Sequence, residues 1–352
     1  MRSGVGLLRG ERAAMIWLHL ALIAFIAAAF GSAPTLARPT LPFGVRIPAK
    51  RSGEAVILLA RRRYNRGIGL GAIVACAVVL FGWLAPEVVV LALTAVYSLL
   101  GGLAHRSIAA AKREEGWYSG TRQAVSTDTS LRSDPVRPQW ILLTPSVVLA
   151  VATAVSGWLA GAAGFSTVFA PIAVIVLTSL MAVAISRARP EIDAAQPAVS
   201  ASRYREYLHG VLALLLISAG CVNATLLVVS LQRWGVVETT VPVTIVAYLP
   251  LAAAFIAWLG FTVRTGDAGH RLPRAGDEPE TRYEQRDDDR HWYAAGMVYL
   301  NRNDPALLVH RRVGTYWTLN LGHPIAWVVL AAVAVAGVLT ALGIVTLPEK
   351  GT

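Results

Sequence analysis

Four histidines, His270, His291, His310 and His323, share one hydrophilic stretch with three consecutive carboxylates, Asp287, Asp288 and Asp289. Side chains of these types can ligate a metal or move a proton, but their spacing does not favour a metal: there is no His-x3-His pair and no zinc-protease glutamate, and three adjacent carboxylates cannot readily all face one ion. The bland alternative is that the aspartates are solvated and neutralise their neighbours Arg286 and Arg290. Nucleophilic chemistry has no anchor either. The chain has no Gly-x-Ser-x-Gly elbow, no Walker loop and no paired aspartates inside an apolar run. Polar residues within apolar runs, His19, Asn223, Thr178 and Ser179, could contact a substrate or relay protons, although interhelical hydrogen bonding is their commoner use. No catalytic, cofactor or metal-ligating residue is identified, and the expectation is a protein that is not an enzyme.

The elements around these residues are unusually legible. Eight stretches, at about 15–33, 67–85, 88–104, 140–163, 165–186, 207–231, 239–263 and 322–346, contain no Asp, Glu, Lys or Arg. Each is near the roughly 20 apolar residues that a helix needs to cross a ~30 Å hydrocarbon core. Backbone amides in lipid must be satisfied internally, and runs such as Val88-Val89-Val90-Leu91 lack the alternation of barrel strands, so the stretches are expected to be helices. The fold class expected is an all-α polytopic membrane protein with eight transmembrane helices and a small cytoplasmic β-hairpin subdomain before the last one.

Basic residues set the orientation. The loops after spans 1, 3, 5 and 7 carry eight, six, four and nine of the 32 lysines and arginines. This asymmetry places those loops in the cytoplasm and both termini outside. A rival reading takes the first span as a cleaved signal peptide, with the small residues of Thr35-Leu36-Ala37 near the cut; it would strand the basic segment Arg38–Arg66 outside, against the charge bias. The chain is 55% hydrophobic with a net charge of +11. That charge, spread over four loops, favours the bilayer and its anionic lipid headgroups as partners rather than nucleic acid. Arginine far exceeds lysine, the bias of a GC-rich bacterial genome, so the expected location is a bacterial plasma membrane. Cys76 and Cys221 fall inside spans and read as small buried hydrophobes.

Four divisions are expected: 1–263 as a membrane domain with spans 1 to 7, 264–290 as a polar linker, 291–321 as a small cytoplasmic subdomain, and 322–352 as the last helix and tail. Spans 2 and 3, 4 and 5, and 6 and 7 would form helical hairpins, the second turning near Gly164. In the first loop, Pro42 and Pro48 favour an extended path, and Ser52 could cap a surface helix over Glu54–Arg63. The linker is too rich in charge, Gly and Pro to fold by apolar burial. Beyond it, a polar turn Asn301-Arg302-Asn303-Asp304-Pro305 precedes two β-like runs, Ala306–Arg312 and Thr315–Leu321, parted by Val313-Gly314. A helix capped by Asp304 with Pro305 at its first position is the alternative.

At this segment the chain resembles a family of bacterial multi-pass membrane proteins that share a C-terminal domain of unknown function. The resemblance rests on Tyr299, Asn301, Asp304-Pro305, Arg311-Arg312, Gly314 and Trp317-Thr318-Leu319-Asn320, and on Pro42-Phe43-Gly44-Val45-Arg46-Ile47-Pro48 in the first loop. More distantly the chain is similar to the SdpI-like immunity and signalling membrane proteins, but it lacks their Pro-x-His-Trp first-loop pattern. The resemblance implies a fold and a location, and marks Asn301, Asp304, Pro305, Arg311, Arg312, Gly314, Trp317 and Asn320 as a candidate cytoplasmic interaction motif. Within it, Asn301 and Asp304 would brace the turn by side-chain to backbone hydrogen bonds, Trp317 would pack against helix ends, and Arg311 and Arg312 would meet lipid phosphate or an acidic partner.

Two functions follow. The first is a partner-docking, signal-reading or immunity-type accessory protein, with a possible protein partner. The alternative is a transporter or permease for a neutral or hydrophobic solute, with Pro145, Pro171, Pro242 and Pro250 breaking helices around a site. Orientation is testable directly: with both native cysteines removed, single cysteines at Ser130 and Ser202 should resist an impermeant thiol reagent in intact cells while one at Thr239 is labelled. The reverse pattern would invert the topology.

Overall fold

The computed structural model describes residues 2–124, 131, 134–162, 165–273, 281–314 and 316–342. The turn near Gly164, residue Ser130, positions 274–280 of the linker, Thr315 and everything beyond 342 lie outside the described residues. Eight helices are described: α1 (Arg2–Leu36), α2 (Ala55–Leu80), α3 (Pro86–Glu114), α4 (Thr144–Leu159), α5 (Phe165–Ser186), α6 (Pro197–Arg233), α7 (Val241–Thr265) and α8 (Pro324–Ala341). Seven of them, α1 to α7, provide segments long and apolar enough to cross a membrane; among the described residues the apolar stretch of α8, Pro324–Leu339, is shorter. Large apolar side chains such as Ile73, Leu91, Ile141 and Val333 point outward. Water would penalise that surface and a bilayer would not.

The prolines take two different roles. Pro86, Pro145, Pro197 and Pro242 sit in the first turns of α3, α4, α6 and α7, where the missing N–H costs nothing. Pro145 and Pro242 therefore start helices and break none. Pro171 and Pro250 do lie inside α5 and α7, which continue through them.

By contacts the chain falls into two compact units. The first comprises 1–124, 282–298 and 311–314, and the second 125–281, 299–310 and 315–352. In the first unit α2 packs on α1 and α3 around Tyr64, Ile68, Leu93 and Tyr97. Gly71 makes the approach of α2 and α3 possible: a Cβ there would lie 2.8 Å from the Tyr97 ring, whose hydroxyl donates to the Ile68 carbonyl at 2.7 Å. Gly161, by contrast, has a positive φ in the turn that ends α4.

The first loop departs from the extended path expected of it. Residues 41–48 are all buried, and Pro42–Gly44 form a 3-10 turn in which Phe43 and Gly44 have φ of 48° and 79°. No separate surface helix follows. α2 begins at Ala55 with Glu54 at its N-cap, so Ser52 does not cap it, and it runs unbroken to Leu80. The polar linker is also better ordered than its composition implied, since β1 (Gln123–Ala124) pairs in parallel with β2 (Glu284–Gln285).

In the second unit α6 is central and touches α4, α5 and α7. Asn223 of α6 is wholly buried; its Nδ2 donates to the Ser146 carbonyl at 3.1 Å, the Ser146 hydroxyl at 2.8 Å and the Pro171 carbonyl at 3.3 Å. One amide thereby joins three helices, the interhelical use that membrane interiors favour.

Gly44 is the sharpest packing constraint in the first unit, because a Cβ would meet the Ala295 carbonyl oxygen at 2.3 Å on a backbone that L side chains rarely adopt. Gly44→Ala should lower stability by at least about 1 kcal/mol, read as an earlier thermal unfolding transition in detergent. Gly53→Ala, with nothing within 4 Å, should leave the transition in place.

Candidate interaction site

The Tyr-x-Asn-x-x-Asp-Pro segment forms a braced turn in the second unit. Asn301 accepts from the Asn303 amide at 3.0 Å through Oδ1 and donates to the Tyr299 hydroxyl at 3.1 Å through Nδ2. Asp304 Oδ1 accepts from the Ala306 amide at 3.0 Å, and its Oδ2 accepts from Tyr299 at 3.0 Å and from the Arg189 guanidinium. Arg189 also lies over the Tyr299 ring, 5.1 Å from its centroid. Burial, more than any partner, pushes the Tyr299 hydroxyl above its usual pKa.

Asn320 closes the turn from the far strand. Fully buried, it accepts from the Asn301 and Gly322 amides at 3.0 Å and donates to the carbonyls of Asn301, Asp304 and Ala306 at 2.9, 3.0 and 3.2 Å. All its polar capacity is used, the condition under which a buried amide is tolerated. Between these points runs an antiparallel hairpin, with β3 (Leu308–His310) paired to β4 (Trp317–Leu319) in the register Leu308–Leu319, Val309–Thr318 and His310–Trp317. There is no helix at Pro305. Asp304 serves the turn as an Asx brace and not as a helix cap.

Trp317 packs edge-on to His310 at 5.2 Å and beside Tyr207 of α6 at 6.2 Å between ring centroids. His310 itself is buried, with Nδ1 at 3.3 Å from a carboxylate oxygen of Asp267, also buried. The other histidines do not join it: among the described residues no three His, Cys, Asp or Glu side chains group as a metal site would require.

Arg312 belongs to the first unit and is spent on internal charge, not on lipid or a partner. Only 1% exposed, its guanidinium forms ion pairs with Asp288 and Asp289, donates to the Gly44 carbonyl at 3.0 Å and lies 5.0 Å from the Trp292 ring centre. Arg46 reaches Asp288 at 2.9 Å, while Lys112 of α3 reaches Asp287 at 2.7 Å and Asp289 at 2.6 Å. The aspartates thus neutralise Arg46, Lys112 and Arg312, and not their neighbours Arg286 and Arg290 as local spacing implied.

Of the eight candidate residues, the structure joins Asn301, Asp304 and Asn320 in one network, sets Trp317 on the paired strand and leaves Pro305 exposed beside the turn. Arg311, Arg312 and Gly314 fall in the other unit, with Arg311 half-buried and Gly314 at a φ of 85° between the strands. Sequence reasoning missed Arg189, Asp267, Arg46 and Lys112. Each lies far along the chain from its partner, and no local pattern marks the pairing.

Seven apolar helices define the class as a membrane protein. Within it, residues 302–327 match a family of unknown function, DUF5808. The match is a short part of the chain but covers the hairpin and all of the candidate motif except Asn301. No curated protein and no solved structure matches the chain.

Burial of Asp289 works against its charge, but the nearby Arg312 and Lys112 and their hydrogen bonds outweigh it and hold the carboxyl below the usual range. A carboxylate depressed in this way stabilises the folded state above its unfolded pKa of about 3.9 and loses that contribution as the pH falls through the lower folded value. Thermal stability in detergent should therefore hold from pH 7 to about 5 and fall below about 4. Asp289→Asn should cost up to about 3 kcal/mol at neutral pH and flatten the acid limb; an unaltered acid limb would show that other carboxylates govern it.

Proposed function

We propose that the protein is a non-enzymatic accessory protein of a bacterial plasma membrane, spanning it eight times with both termini outside, and that its C-terminal hairpin segment docks a protein partner or reads a signal. The observation that carries this reading is the division of labour in the turn. Asn301, Asp304 and Asn320 hold its shape by internal hydrogen bonds, while Arg302, Asn303, Pro305 and Tyr316 stand exposed around it. Side chains fixed in place with a cation, a proline and an aromatic turned outward suit recognition, because the ordering cost is met before a partner arrives. The family match over this segment supports the same emphasis.

The alternative of solute transport has less support. The groove among α4, α6 and α7, about 350 Å³ and lined by residues such as Pro145, Ile217, Cys221 and Pro250, offers apolar surface without a carboxylate, a basic side chain or a histidine. Asn223, next to Ala224 of that lining, is committed to neighbouring helices.

A photo-crosslinking residue placed at Tyr316 in the full-length protein tests the docking reading in living cells. A discrete crosslinked protein should form from position 316, fade in an Arg302→Ala background, and be absent when the same probe replaces the exposed Trp83 of the first unit. Crosslinks to lipid alone, or an equal yield from position 83, would reject docking at the hairpin.

A further inference from the structure

We infer that the second unit holds a site for the phosphate of an anionic phospholipid, at the end of α5. The inference rests on the membrane reading above but not on the hairpin docking a protein. A pocket of about 410 Å³ opens there, walled by Ser186 at the end of α5, by Arg187 and Arg189 just after it, by Tyr204 and Leu208 of α6, and by Val136.

Two helices independently fix its depth. The apolar span Val168–Ser186 ends at the pocket wall. α6 is 37 residues long, about 55 Å at 1.5 Å per residue, against a hydrocarbon core of ~30 Å; its uncharged stretch starts just after Glu206, so Tyr204 and Leu208 straddle the boundary. Both place the pocket at headgroup level, where aromatic and arginine side chains concentrate.

Charge selects the ligand. Asp304, the carboxylate in the wall, is committed to the Ala306 amide, the Tyr299 hydroxyl and Arg189, and the neighbouring Glu191 acts on the same Arg189. Arg187 is exposed, and among the described residues no acidic side chain pairs with it. Both carboxylates are thus taken up by Arg189, and the Arg187 guanidinium is left beside apolar surface from Leu208 and Val136. A phosphodiester fits the first and the glycerol end of acyl chains fits the second. A zwitterionic headgroup would bring its own cation against Arg187 and Arg189, so an anionic one is preferred.

Native mass spectrometry of the full-length protein in mild neutral detergent, titrated with phosphatidylglycerol, decides the matter. Arg187→Gln should weaken the bound-lipid series about tenfold, Arg187→Lys should retain most of it, and phosphatidylcholine should bind more weakly than phosphatidylglycerol to the native protein. Arg113→Gln removes the same charge from the exposed last turn of α3 and should change nothing. An equal loss in Arg113→Gln would assign the lipid to diffuse surface charge, and an unchanged Arg187→Gln would leave the pocket without a role; either overturns the site while the protein remains a membrane protein. Competition by glycerol 3-phosphate at the affinity of the lipid would make the ligand a soluble anion and likewise overturn it. A chain that stays soluble without detergent would instead remove the membrane reading itself.

Discussion

The first unit depends on the neutralisation of Arg312. A guanidinium with 1% exposure is held only where opposite charge and hydrogen-bond acceptors surround it, since desolvating an unpaired ion costs several kcal/mol. Asp288 and Asp289 supply the charge and the Gly44 carbonyl an acceptor. Those carboxylates in turn draw in Arg46 of the first loop and Lys112 of α3. Three cations and three carboxylates thus settle in one place, and four separate stretches of chain must be there to provide them. The left-handed turns at Phe43-Gly44 and Ala294-Ala295-Gly296 follow from the same demand, because they let two backbones close to within van der Waals contact around the cluster.

The second unit, the buried Asp267–His310 pair apart, relies on neutral groups where the first relies on ions. Asn320 replaces the network of ions by a single neutral amide that saturates the turn. Among the helices Asn223 makes its bonds through Nδ2. Neutral amides carry a smaller desolvation penalty than ions, which suits positions with few other polar groups at hand. Arginine is reserved for the edge of the unit, where Arg189 spends itself on Asp304 and Arg187 stays at the surface.

Much of the helical architecture was legible because a bilayer imposes a single rule on every crossing segment. Uncharged runs located α2 to α7, though not their ends: α2 begins at Ala55 and α3 continues to Glu114, because a helix persists past the lipid boundary wherever amphipathic residues follow. The hairpin was legible from the alternation after Gly314, and the bracing of its turn from the side-chain chemistry of Asn301 and Asp304. The ionic cluster was not. Asp287–Asp289 sit between two arginines in sequence, and nothing local distinguishes those from Lys112 or Arg46, more than 170 positions away. Pairings at that separation are properties of the folded chain and leave no periodic trace.

Membership of the C-terminal stretch alternates: 282–298 and 311–314 complete the first unit, and 299–310 with 315 onward the second. Translation runs in one direction, so the ribosome delivers Arg46 and Lys112 long before Asp287–Asp289, and Arg312 last of all. α4 to α7 must therefore be made while the first unit still lacks its counter-charges. Such a chain cannot mature unit by unit from its N-terminus in the usual order of multidomain proteins. Closing contacts across so many residues is also slow for entropic reasons. The nascent first unit consequently waits, with two cations in water and its core incomplete, and the same short stretch of codons finishes both units together.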